Sequence, residues 1–290
     1  MTGRFKAIFC VATIAAVTVP AAIVYAETDD AEQSAFREAV KFGFRGQAIQ
    51  GGVMIGDAPA GTRSLSFDGN PVQMDDDGKF IIAFNRDAGQ AAQLVATLDD
   101  GQTVRKFINV APRKWHIEHV NINRRARTAS ESFKRRRAPE LAQINAARSA
   151  MNDSTGWRQT FIWPVKGRIS GMFGNQRIYN GDPGSYHSGI DIAAPTGTYY
   201  VAPADGVVTL AATSPFTLEG NLLMIDHGMG LNSAFLHSSE ILVKEGQQVK
   251  RGEPIGRVGS TGSATGPHLH WSMKWNAARI DPILLTGPME

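Results

Sequence analysis

Three turn signals, Asp68-Gly69-Asn70, Asp76-Asp77-Gly78 and Asp99-Asp100-Gly101, cut the first half of this chain into short apolar runs. Asp-Gly pairs supply the positive-φ positions of tight hairpins, so a chain divided this way favours antiparallel strands over long helices. The runs are Val53-Met54-Ile55-Gly56, Ser64-Leu65-Ser66-Phe67, Phe80-Ile81-Ile82-Ala83-Phe84, residues 93–98 and residues 104–110. Their spacing predicts a small antiparallel sandwich. The punctuation continues to the end: 30 Gly and 14 Pro among 290 residues exclude a helical bundle.

From 157 to 282 the chain is again strand-rich, with strands expected at 201–210, 221–227, 233–237, around Val249, at 255–258 and at 268–274. Between the two β regions, Arg124, Arg125, Arg127, Lys134, Arg135, Arg136 and Arg137 form a basic run, followed by an Ala-rich, helix-favouring stretch at 140–150. The expected fold is mainly β: a C-terminal antiparallel β-sheet domain at 157–290, preceded by a small β-sandwich-like domain at 27–123 and a basic helical linker at 124–156. The linker is either a solvated connecting helix or a dock for an anionic surface such as a membrane leaflet or wall polymer.

Residues 1–26 have the order of a secretory signal peptide: Arg4 and Lys6, an apolar run, then Val24-Tyr25-Ala26 before acidic Glu27, Asp29 and Asp30. The alternative is a retained membrane anchor, against which Pro20 and the Ala-rich end count. Cleavage after Ala26 would remove the single cysteine, Cys10, and leave a chain without a membrane span, exported to the periplasm or cell envelope. One cysteine excludes a disulfide framework and a thiolate metal cluster. Of 30 basic and 27 acidic residues, the signal region holds two basic ones, leaving 28 against 27. That balance lacks the broad electrostatic footprint of a nucleic-acid partner.

Five of the seven histidines fall after residue 157. His187-Ser188-Gly189-Ile190-Asp191 puts an imidazole and a carboxylate four residues apart, among glycines and prolines that forbid a helix. In an extended chain both point to one face, and Gly189 leaves the space between them open. Pro267-His268-Leu269-His270-Trp271 repeats the pattern at i and i+2. One imidazole of that pair would bind a metal while its neighbour reaches the attacking water. Two nitrogens and one carboxylate oxygen leave a fourth tetrahedral position open, the layout of a catalytic zinc site. No H-E-x-x-H motif occurs, so a helix-borne glutamate base is excluded.

These residues resemble the M23 (LytM/lysostaphin-type) zinc endopeptidases. The resemblance rests on His187-Ser188-Gly189-Ile190-Asp191-Ile192, Ala202-Pro203-Ala204-Asp205-Gly206-Val207-Val208, Ile225-Asp226-His227-Gly228, and Val258-Gly259-Ser260-Thr261-Gly262 through Gly266-Pro267-His268-Leu269-His270. It spans about 161–282 and implies zinc on His187, Asp191 and His270, with His237 and His268 as metal-free catalytic histidines. Phe235 departs from the pattern, which often has Tyr there and a polar contact with it. The implied substrate is a peptide cross-link of peptidoglycan; His268 or His237 would take the proton from water, and the other would stabilise the oxyanion and feed the leaving amine. The competing expectation is a non-catalytic wall-binding protein or amidase activator, in which gaps in the metal set are usual. A latent form and a regulatory adaptor are further options.

Four features are expected to be secondary. His227 is expected to be a satisfied structural histidine. Gly259, Gly262 and Gly266 lack a P-loop ending and would shape the rim of a cleft. His116 and His119, three apart on a strand, would face opposite sides and serve as ordinary surface or packing residues. Asn175 and Arg177, ahead of the metal motif, are assigned to the substrate groove.

Overall fold

The computed structural model describes residues 41–122 and 130–289. The export-signal reading at 1–26, and Arg124, Arg125 and Arg127 of the basic run, lie outside these residues. Among the described residues no helix is long and apolar enough to cross a membrane.

The leading region forms two antiparallel sheets. One joins β1 (Gly43–Gly46), β2 (Val53–Asp57) and β5 (Lys79–Ala83); the other runs in the order β4 (Asn70–Val72), β3 (Thr62–Phe67), β6 (Ala91–Leu98), β7 (Thr103–Asn109). Alternation explains β6: Ala92, Leu94, Ala96 and Leu98 are buried while Gln93, Val95 and Thr97 between them are not. The strand β8 (Ile117–Val120) follows.

The helix α1 (Glu131–Ser149) is capped by Ser130, whose Oγ accepts from the Phe133 amide at 3.1 Å. Its basic residues are not all free for an outside surface. Lys134 pairs with Glu131, and Arg137 pairs with Glu140 and with Glu219 of the sheet. Ile144 and Ala147 pack against Leu210, Phe216, Leu222, Met224 and Ala234, so the helix is docked along one face of the larger sheet.

That sheet has eight strands. Its order is β18 (Gln248–Val249), β14 (Gly206–Phe216), β15 (Gly220–Asp226), β16 (Leu231–Ser238), β20 (His268–Trp275), β12 (Ile190–Ala193) and β9 (Arg168–Gly171), with β21 (Ala278–Ile280) also pairing β20. A smaller sheet joins β13 (Tyr199–Val201), β19 (Pro254–Arg257) and β17 (Glu240–Ile241). The single strand expected at 201–210 is two strands. β13 ends at Val201 and β14 begins at Gly206, with a turn around Pro203, which has no amide hydrogen for a ladder. The short helix α2 (Ile283–Thr286) ends the described chain.

From Phe42 onward the chain is one compact unit with a shared core. Trp275 of β20 meets Phe67 of β3 edge to face, ring centres 6.1 Å apart. Arg113 reaches the buried Asp281 at 2.8 Å, and the Asp281 amide donates to the Gly51 carbonyl at 2.9 Å. β8 runs parallel to β10 (Gln176–Tyr179), whose other edge takes β11 (Asp182–Pro183).

Candidate active site

β20 supplies the floor of the site. Leu269, Trp271 and Met273 are fully buried on one face, which turns His268 and His270 to the other. Antiparallel pairing then sets Asp191 of β12 directly opposite His270. His187 reaches the same place from a loop rather than from a strand. Its amide donates to the Asn175 carbonyl at 2.8 Å, and its own carbonyl accepts from Gly174 at 2.9 Å.

Three ligand atoms converge there. His187 Nε2 lies 3.1 Å from Asp191 Oδ1 and 3.1 Å from His270 Nδ1, which is itself 2.8 Å from Asp191 Oδ1. Among the described residues, His187, Asp191 and His270 are the group able to hold a metal ion. Ligand atoms on a tetrahedral ion at about 2.0–2.1 Å stand about 3.3–3.4 Å from one another, so this donor set fits zinc with slight expansion. His187 donates Nδ1–H to the Met172 carbonyl at 3.0 Å, which leaves Nε2 as the free lone pair. A Cβ on Gly189 would stand 2.8 Å from His270 Nε2 and collide with the Trp271 carbonyl, so the small residue is a requirement of close approach.

The electrostatics suit a cation. Burial would raise the Asp191 carboxyl, but the His187 and His270 imidazoles beside it outweigh that effect and hold the group well below the carboxylate range. Burial lowers His270. It opposes His187 as well, yet the Asp191 partner prevails and raises that imidazole.

His237 and His268 stand beside this cluster, ring centres 4.9 Å apart. Each has its Nδ1 within 2.8 Å of a backbone carbonyl, Thr261 for His237 and Gly266 for His268. A carbonyl only accepts, so Nδ1 carries the proton in both rings and Nε2 keeps its lone pair in the neutral form. His268 Nε2 is 3.7 Å from Asp191 Oδ1. Burial lowers the pKa of His237, favouring that neutral form.

His237 departs from strand alternation. Phe235 faces the core, so regular pleating would turn His237 there too. Instead the pairing of β15 with β16 shifts between Asn221 and Leu223, and His237 takes φ +66°. The Thr261 loop and the Glu219 carbonyl, which accepts the His237 amide at 2.8 Å, hold this geometry. Phe235 itself is enclosed between Tyr200 and Trp271, stacked at ring distances of 5.5 and 6.4 Å. It lies in the core and not in the cleft.

A cavity of about 800 Å³ opens beside the cluster, walled by His116, Glu118, Asn175, Arg177, His187 and Asp191 among others. Asn175 and Arg177 therefore line the space next to the three ligand atoms. His116 and Glu118, which sequence reasoning left out of the groove, come with β8 and its parallel pairing to β10. Arg177 donates to Glu118 at 2.6 Å. His227 takes no part: it is wholly buried, with Nδ1 on the Asp205 carbonyl and Nε2 on Ser233 Oγ, both at 2.8 Å.

Residues 185–282 match the model of Peptidase family M23. The chain belongs to peptidase family M23. This M23 chain is 42% identical over 130 residues to Peptidoglycan DD-endopeptidase ShyA of Vibrio cholerae, covering 44% of the chain and 30% of ShyA. It is 40% identical over 121 residues to DD-carboxypeptidase/endopeptidase Mpg of Neisseria meningitidis, covering 42% of the chain and 27% of Mpg. The M23 chain thus spans under a third of the length of these curated relatives. A crystal structure from Pseudomonas aeruginosa assigned to peptidase M23 superposes with a TM-score of 0.65 at 29% identity, covering 84% of this chain and 96% of that one. That likeness extends well beyond residues 185–282.

Proposed function

We propose that this chain is an exported zinc endopeptidase that hydrolyses peptide cross-links of peptidoglycan in the periplasm or cell envelope. The observation that carries the reading is the convergence of His187 Nε2, Asp191 Oδ1 and His270 Nδ1 beside two further histidines with free Nε2 atoms. The peptidoglycan endopeptidase names of ShyA and Mpg support the substrate class.

In this reading His187, Asp191 and His270 hold the zinc. The bound ion supplies Lewis acidity to the scissile carbonyl and makes water a better nucleophile at neutral pH. Either His237 or His268, with Nε2 unprotonated, takes the water proton there, while the other acts with a proton on both nitrogens, donating Nε2–H to the developing oxyanion and then passing that proton to the departing amine. Nδ1–H contacts to the Thr261 and Gly266 carbonyls keep both rings turned for that exchange. Asn175 and Arg177 contact the peptide in the neighbouring cavity. Residues 27–123 act as an accessory domain and 124–156 as the linker to the peptidase domain at 157–290, with residues 1–26 as the export signal.

Purified protein incubated with cross-linked muropeptides, with and without a chelator, tests this reading by mass analysis of the products. Chelator-sensitive cleavage of a cross-link is expected. His270→Ala should lose bound zinc, whereas His268→Ala should retain it and lose turnover by about 10²–10⁴-fold. Equal zinc loss in both variants would overturn the division of roles. A non-catalytic wall binder is disfavoured, because all five side chains of the constellation are present.

A further inference from the structure

The strand that carries His268 and His270 runs on past them. Alternation along β20 carries His268, His270, Ser272 and Lys274 to one face, while Leu269, Trp271, Met273 and Trp275 are buried on the other. Lys274 is four residues beyond His270, about 13 Å along the strand. Directly across the β20–β21 ladder from Lys274 stands Arg279. The Arg279 guanidinium lies 5.7 Å from the ring centre of Tyr186, the residue preceding His187. On the far side, α1 brings Arg148 close enough for its charge to act on both Lys274 and Arg279.

These three cations have no acidic partner among the described residues. Arg148 Nε is buried without a hydrogen bond. The carboxylate whose charge reaches Arg148 is Glu219, already gripped by Arg137 through two contacts of 2.5 and 2.6 Å. Arg86, on the other flank of Tyr186, makes the contrast plain. Its guanidinium is bonded to the Gly174 carbonyl, Gln176 and Asp87. Burial and the two arginines push the Lys274 ammonium down to about 8. Holding three like charges together in a half-buried place is unfavourable until an anion completes them.

We infer that Arg148, Lys274 and Arg279 form a subsite for a free carboxylate of the peptide substrate, lying on the order of three residues from the scissile amide. The inference rests on the proposed hydrolysis of peptidoglycan, whose stem peptides carry such carboxylates. Guanidinium forks match the planar carboxylate, and Lys274 adds a point charge between them.

The test uses the full zinc-loaded chain and two muropeptide dimers that differ in having the stem carboxylates free or converted to carboxamides. The carboxylate form is expected to have a KM about tenfold lower at similar kcat. Lys274→Gln and Arg279→Gln should each erase most of that preference by raising KM for the carboxylate form alone. Lys274→Arg should keep it, and Lys244→Gln, on a distant surface loop, should leave it intact. Because Lys274→Gln relieves repulsion, melting should show the variant folded. Calorimetric binding of the corresponding muropeptide monomers separates the two ideas. Carboxylate-selective binding that the substitutions abolish, without any cleavage, would sink the hydrolase reading and keep the subsite. An unchanged carboxylate preference in Lys274→Gln and Arg279→Gln, in binding or in turnover, would overturn the subsite.

Discussion

The carbonyl oxygen of Thr261 accepts from Nδ1 of His237 at 2.8 Å, and that contact keeps the imidazole of a left-handed residue turned toward His268. A loop between β19 and β20 thereby fixes a side chain borne by β16. Gly259 opens that loop, and a Cβ there would stand 2.6 Å from the His237 carbonyl and collide with the Ser239 amide. Gly259→Ala is expected to keep the metal and to lower kcat by up to about 10²-fold, the scale of a 1 Å displacement. Metal content and turnover measured on the same preparation check it; loss of both together would point to the ligands instead.

Gly189→Ala should have the opposite signature. Its new methyl presses on His270 Nε2, so the expected first effect is weaker zinc retention, about 10–100-fold in affinity. Competition with a chromogenic chelator measures this. Wild-type affinity in the variant would mean that the loop before β12 can yield without moving His270.

Arg137→Met leaves the Glu219 carboxylate, only 16% exposed, without its bidentate partner. A stability loss of about 2 kcal/mol is expected. Turnover should fall as well, since the Glu219 carbonyl holds the His237 amide. Adding Glu219→Gln to the variant should restore part of the melting temperature by removing the stranded charge. If the pair of substitutions costs the sum of both singles, α1 is not coupled to the hairpin in this way.

Acid should destabilise the fold through His227. Burial pushes its imidazole down to about 4, whereas the unfolded chain titrates near 6.5. Above pH 6.5 neither state is charged and the stability is whole. As pH falls toward 4 only the unfolded chain gains the proton, which removes on the order of 3 kcal/mol. Denaturant midpoints between pH 7 and 4.5 should fall less steeply for His227→Gln than for the wild type, although the variant starts lower. Parallel slopes would exclude His227 as the source.

Much of this arrangement was legible in the residues. Period-two patterning gave the strands of the leading region, and the His-x-His and His-x-x-x-Asp spacings marked the side chains that converge. Four features were not. The bulge that turns His237 away from the core depends on β15, which no local pattern within β16 reveals. The split at Pro203 was hidden by apolar residues on both sides of it. The parallel pairing of β8 with β10 joins segments nearly sixty residues apart, and the sequence of β8 reads as an unremarkable polar strand. The docking of α1 escaped for a similar reason: a run of arginines looks solvated until Glu219 arrives from elsewhere in the chain.

That parallel ladder has a consequence for how such a protein can diversify. Because His116 and Glu118 border the cavity, its chemistry is partly encoded upstream of α1, outside the stretch that carries the family's signature. Selectivity can then drift through edits to the leading region while the metal-binding motif stays untouched. An excised C-terminal half would lose one bank of its own cleft.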